Sequence, residues 1–187
     1  MDNSTTSTKV ITGLVRFSYA QVFTPKAMND GDEPKYSVSI LIPKTDTVTL
    51  EKINKAIEAA KAAGMAKIGK NGKIPAGIKL PLRDGDTERE DDPTYAGHYF
   101  LNASSKKAPG IVAKDRQAIL DSDEFYSGCY GRASINFYAF NSNGNKGIAV
   151  GLNNLQKLKD GERLAGGATA EEDFDDDFSV ADNSDLM

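Results

Sequence analysis

A chain of 187 residues with 39% hydrophobic residues can bury one core of ordinary size, and it lacks an apolar run near the ~18 residues of a membrane span. Its single cysteine, Cys129, excludes an intrachain disulfide, and one cysteine plus one histidine, His98, is too few for a four-ligand zinc site. The net charge of −4 is unevenly spread: residues 171–187 hold eight of the 27 acids and no base, so the rest carries 19 acids against 23 bases, a body of about +4 that suits a polyanionic partner.

Residues 1–8, MDNSTTST, are polar without the charged-then-apolar pattern of a signal peptide, and they read as a loose arm on a cytoplasmic protein. Residues 9–23, KVITGLVRFSYAQVF, are rich in β-branched and aromatic types, with Val15, Phe17 and Tyr19 alternating and Gly13 placed for a bulge. PKAMNDGDEP (25–34) is turn chemistry. In KYSVSILIP the residues Tyr36, Val38, Ile40 and Ile42 share one face, Ser37, Ser39 and Leu41 the other, and Pro43 ends the strand. Leu50, Ile53, Ile57 and Ala60 recur at helical spacing, which predicts a helix over 47–63 stopped by Gly64. Residues 65–94 read as a long excursion with a short strand near Ile78–Leu80. Strand character returns at 95–104 and most clearly at 126–141, where Ala133, Ile135, Phe137 and Ala139 oppose Ser134, Asn136, Tyr138 and Phe140. Asn143-Gly144 marks a tight hairpin, GIAVGLNNLQKL a returning strand, and LAGGATA a flexible linker before the acidic tail. One helix among five or six strands with long irregular connections predicts a mainly β fold, an OB-fold-like barrel.

Motifs for catalysis are weak. Gly64 to Lys70 fits the phosphate-loop spacing, but Asn71 stands where the magnesium hydroxyl belongs and the match follows a helix. The acids of DGDTEREDD (84–92) have Arg89 where a calcium loop needs glycine, and they read as a solvated loop. Cys129 lies in a strand-like stretch and reads as packing. The aromatic inventory is more informative. Thirteen of fifteen Phe and Tyr lie in the body, and several flank bases on predicted strands, the pattern in which bases stack on rings while Lys and Arg track phosphates.

The ordered stretches VRFSYAQVF, PKYSVSILIPK, LRDGD, YAGHYFLNA, FYSGCYGRASINFYAFN and GNKGIAVGLNNLQKLKDGERLAGG resemble a family of bacteriophage single-stranded-DNA-binding proteins, over about residues 9–178. The resemblance implies an OB-fold with one helix and an acidic C-terminal tail, binding of single-stranded DNA without strong sequence preference, a part in phage replication or recombination, and a place in the cytoplasm of the infected or lysogenic host. The expected organisation is an arm (1–8), an OB domain (9–160) and a linker with acidic tail (161–187). Chemistry selects Tyr19, Tyr36, Tyr99, Tyr130 and Tyr138 as stacking candidates, and Arg16, Lys35, Lys79, Arg83, Lys106, Lys107 and Arg132 as phosphate contacts. Lys70 and Lys73 are expected to close over the strand from the long loop. The tail segment Asp173, Phe174, Asp175, Asp176, Asp177, Phe178 is expected to modulate DNA binding and to recruit replication or recombination proteins. Neither enzyme activity nor a cofactor is expected, and a homodimer is left open. Two rival readings are a metal-dependent nuclease built on the 84–92 acids and a phage structural or adaptor module that binds protein only.

Overall fold

The computed structural model describes residues 7–27 and 29–164. In chain order these form β1 (Lys9–Ile11), β2 (Val15–Lys26), β3 (Lys35–Pro43), α1 (Thr47–Ala63), α2 (Met65–Ile68), β4 (Arg83–Asp84), α3 (Gly85–Glu88), a 3-10 turn (Pro93–Tyr95), β5 (His98–Ser105), β6 (Gly110–Val112), β7 (Tyr130–Ser142) and β8 (Asn145–Lys159). β2 pairs antiparallel with β3 and β7, and β3 with β5. β8 closes the circuit, antiparallel to β7 and parallel to β5 through Ser104 and Gly151. Five strands therefore form a ring in the order β2-β3-β5-β8-β7, with β1, β4 and β6 added at its margins. This is an OB-fold-like arrangement.

Period-two alternation fills the ring. Val15 and Phe17 from β2, Val38, Ile40 and Ile42 from β3, Leu101 and Ala103 from β5, Ile135 and Phe137 from β7 and Val150 and Leu152 from β8 form one buried cluster. α1 adds Ile53, Ala56, Ile57 and Ala60 to it. The helix begins where Asp46 accepts from the Thr49 N–H (3.1 Å) and the Thr49 hydroxyl (2.6 Å), a side-chain cap that satisfies an orphan donor of the first turn. β3 is also buried on its second face, where Leu41, Phe100 and Tyr95 make a smaller cluster and Tyr95 meets Phe100 edge-on at 5.0 Å.

The mainly β fold, β3, α1 and the β7–β8 hairpin agree with the sequence reading. Two one-turn helices, α2 and α3, accompany the expected single helix, and eight strands replace five or six because β1, β4 and β6 are marginal pieces of two or three residues. The excursion at 65–94 is threaded onto the body: Lys79 N–H donates to Lys146 O, and Lys79 O accepts from Ile148 N–H, both at 2.9 Å. Gly161–Leu164, read as the start of a flexible linker, is held against the 127–128 segment, with Leu164 N–H donating to Ser127 O at 2.9 Å.

Candidate nucleic-acid interface

The outward face of β3 and β5 is polar because both strands alternate. Ser37 stands opposite Ser104 and Ser39 opposite Asn102, on the reverse of Val38 and Ala103. These four short side chains floor a groove of about 500 Å³. Lys26 and Lys35, paired across β2 and β3, stand on one rim. Tyr95 and Arg89 close the end toward Leu41, with the Tyr95 hydroxyl 3.4 Å from Ser39 Oγ and the Arg89 guanidinium 4.9 Å from the Phe100 ring centre. Tyr19 stands on the β2 side. A smaller hollow shares Lys26 and Lys35 and adds Asp32, Glu33 and Lys106, where Lys106 and Glu33 approach at 3.5 Å. Small hydrogen-bonding groups under a cationic rim, with an aromatic at the side, match the needs of an unpaired strand: donors and acceptors for bases, cations for phosphates. Oligonucleotide-binding rings of this class use the same face.

The groove face continues along β2 onto β7. Arg16 lies opposite Tyr130, and Tyr130 opposite Lys159. Arg16 and Lys159 stand 5.1 and 4.7 Å from the Tyr130 ring centre, so stacking a base on Tyr130 requires one of them to move aside. Arg16 also donates to Gly128 O (3.1 Å) and Glu162 O (2.9 Å), which ties it to the segment after β8. That segment is clasped by Tyr126, whose hydroxyl donates to Asp160 (2.8 Å) and whose ring meets Lys157 and Arg163. Burial, then the Asp160 carboxylate, pushes the Tyr126 phenol up, while the bonds from Lys157 and Tyr126 hold Asp160 below the usual carboxylate range.

The other candidates are dispersed. Tyr36 and Tyr99 are opposite Ser105 and Ile42 on the interior side of β3 and β5, at its two ends, and Lys44 lies 5.0 Å from the Tyr99 ring. Arg83 binds Glu88 (2.8 Å) and stacks at 5.1 Å over Phe100. Arg132 donates to Thr12 O (2.8 Å), fastening β7 to the link between β1 and β2. Tyr138, 42% exposed, is eight residues along β7 from Tyr130, about 26 Å at about 3.3 Å per residue. Lys107 is exposed just after β5. Lys70 and Lys73 face each other across a tight turn with Asn71 and Gly72 at φ +55° and +76°, and Lys79 lies beside the β7–β8 hairpin. Asp173 to Phe178 lie outside the described residues. Lys26, Arg89, Lys159 and Arg163 were missed: Lys26 lay in a stretch read as turn, and Arg89 in one read as solvated loop.

Two of the acids in the nuclease reading, and the lone thiol, are occupied by their surroundings. Within the 84–92 acids, Asp84 and Asp86 both hold Lys44, at 2.8 and 2.7 Å, and these bonds pull both carboxylates below their ordinary range. Cys129 is fully buried in the core, and burial pushes its thiol up, away from the reactive thiolate.

Ring and groove together define an OB-type protein with the surface of an oligonucleotide binder. Residues 8–187 match the family described as Enterobacter phage Enc34, ssDNA-binding protein, and the chain belongs to that family. It is 32% identical over 178 residues to protein p50 of Acyrthosiphon pisum secondary endosymbiont phage 1, covering 92% of this chain and 95% of the relative. The C-terminally truncated single-stranded DNA-binding protein of bacteriophage Enc34 is similar in structure at 27% identity, with a TM-score of 0.72 over 83% of this chain and 88% of that one. The Enc34 protein in complex with ssDNA gives 24% identity and a TM-score of 0.76, over 88% and 97%. The fold extends to gp2.5, a single-stranded DNA binding protein of bacteriophage T7, at 14% identity and a TM-score of 0.59, over 92% and 97%. The family and these solved structures are described as DNA-binding proteins and not as enzymes.

Proposed function

We propose that the chain binds single-stranded DNA with little sequence preference along the outer face of β2, β3 and β5, and serves phage DNA replication or recombination in the host cytoplasm. The observation that carries this reading is the groove: a floor of Ser37, Ser39, Asn102 and Ser104 under Lys26, Lys35 and Arg89, with the exposed ring of Tyr19 beside it. Its floor carries hydrogen-bonding groups and no charged side chain. Lys79, beside the β7–β8 hairpin, and Lys70 and Lys73, on the tight turn that precedes it in the chain, supply a second group of phosphate contacts, since that hairpin flanks the binding face in rings of this class. Family membership supports the same reading. The acidic tail, with Asp173, Asp175, Asp176 and Asp177 around Phe174 and Phe178, competes with DNA for the cationic rim and offers its rings to partner proteins.

Titration of labelled oligo-dT at several salt concentrations, with a duplex of equal length, tests the proposal. Each phosphate neutralised on a single strand adds about 0.7 to the log–log salt slope, so a few contacts give a slope of roughly −2 to −4. Equal affinity for duplex and single strand refutes it, and no affinity at any salt assigns the chain to protein-only binding.

A further inference from the structure

We propose that Tyr19 is a wedge: the bound strand crosses its ring, with one nucleotide over Ser37 and Ser39 and the next in a second hollow between β2 and the 122–127 segment. This rests on the single-strand reading above and adds to it the path and the opening of one base step.

The backbone is the first observation. Ser18 pairs with Ser39 and Gln21 with Ser37, so Tyr19 and Ala20 together oppose Val38 in a one-residue bulge. Tyr19 opens that bulge at φ +46°. A left-handed residue at the head of a bulge is ordinarily glycine, because a Cβ is disfavoured there. The neighbouring contacts hold the strained turn in place: Ala20 N–H donates to Ser127 Oγ (2.9 Å), and Gly128 N–H donates to Phe17 O (2.7 Å).

The ring is the second observation. It is 59% exposed, takes no part in the core cluster, and its hydroxyl has no hydrogen-bond partner among the described residues. A tyrosine that strains the chain and contributes nothing to the core is explained by what it does at the surface.

Its location is the third. Tyr19 lines both the groove and a separate hollow of about 290 Å³. The second hollow presents Gln21, Thr24 and Ser122 as uncharged hydrogen-bonding groups, and Arg163 as its cation. Asp123 is also there, so the phosphate must follow the Arg163 side and the base the Gln21 side. An aromatic ridge between two hollows forces adjacent bases apart, each keeping one ring face on Tyr19 or its surroundings.

The test uses the full chain and oligonucleotides carrying 2-aminopurine at successive positions, whose fluorescence rises when its stack opens. Wild type should show a rise at one step of the bound strand. Y19G should abolish that rise and weaken binding about 5- to 150-fold, the range for losing one stacked base. Its melting temperature should hold or increase, because glycine accepts the left-handed backbone. Y19F should keep both the rise and the affinity. A Y19G variant that melts well below wild type makes the ring structural and overturns the wedge, as does one with unchanged affinity and an unchanged fluorescence pattern. Tight wild-type binding with no opened step overturns the wedge while leaving the groove standing. Absence of binding by wild type overturns both.

Discussion

Replacing both Lys26 and Lys35 with alanine should alter the salt dependence of binding in a calculable way. The two lysines are register partners across β2 and β3, both are exposed, and both line the groove and the smaller hollow beside it. If each neutralises one phosphate, the double variant loses about 1.4 from the magnitude of the log–log slope. Counterion release then makes the loss about 25-fold at ~0.1 M salt, or about 2 kcal/mol, and brings it close to zero when extrapolated to ~1 M. Neither side chain is packed, so stability should move by less than ~0.5 kcal/mol. Fluorescence anisotropy with oligo-dT at four or five salt concentrations gives both slope and intercept. The control is K52A, which removes an equivalent charge from the exposed side of α1 and should leave the slope unchanged. Parallel salt plots for wild type and the double variant would refute the reasoning, because the lysines would then not be releasing counterions. An equal slope change in K52A would also refute it, by showing that net charge and not the groove sets the response.

Substituting Gly128 by alanine should destabilise the protein by about 1–3 kcal/mol and release the segment after β8, because Gly128 sits at φ +115° and a Cβ would run into the Glu162 carbonyl; thermal melting, with limited proteolysis near residue 163, reads both effects. The Lys44 pair gives a pH dependence. The folded Asp84 and Asp86 carboxylates titrate below their unfolded value of 3.8, so the unfolded state takes up protons first and stability falls as pH drops through and below about 4. K44M should show a smaller acid-side loss, since the backbone N–H bonds from Asp86 and Gly97 still favour the two carboxylates, and denaturant midpoints from pH 7 to 3 for both proteins should draw together at the low end. Deleting residues 171–187 changes the net charge from −4 to about +4 and should tighten DNA binding at low salt, with the gain fading as salt rises; equal affinities at low salt would end the competition idea.

Regular elements were legible where local chemistry alone decides them. β3 and α1 occupy the expected residues because alternation, the Leu50–Ala60 spacing and the stop at Gly64 are all written in the local sequence. Asn143 and Gly144 take φ +53° and +87°, the geometry that Asn-Gly foretells in a hairpin. β6 escaped notice because three residues joined in parallel to β8 leave no periodic trace. Tyr95 was read into a strand, whereas Pro93 starts a 3-10 turn that carries it over Leu41 and Phe100. The groove was half legible. Ser37 and Ser39 were assigned with Leu41 to one face, but their partners Asn102 and Ser104 come from a strand some 65 residues away, which only the β3–β5 register supplies. Bases next to aromatics in the sequence include Lys35 and Arg16 but not Lys26, which reaches the groove through strand pairing, nor Arg89, which reaches it from the end of α3. Arg83 and Arg132, chosen as phosphate contacts, are held by Glu88 and by the Thr12 carbonyl. No residue statistic would place Tyr19 in a left-handed bulge.

β8, the last strand among the described residues, joins three others. β8 pairs with β7 along its length, with β6 and with β5. Until residues 145–159 are available, β5 and β7 each present an open edge, and the Ser104–Gly151 pairing that closes the ring joins residues 47 apart in the chain. Such closure is slow relative to local helix and hairpin formation, and the waiting edges can pair with other chains. Nascent or truncated chains that end before β8 should therefore aggregate in preference to giving a smaller DNA-binding fragment. A circular permutant that moves β8 ahead of β2 should relieve this order-of-synthesis constraint while leaving the finished ring the same.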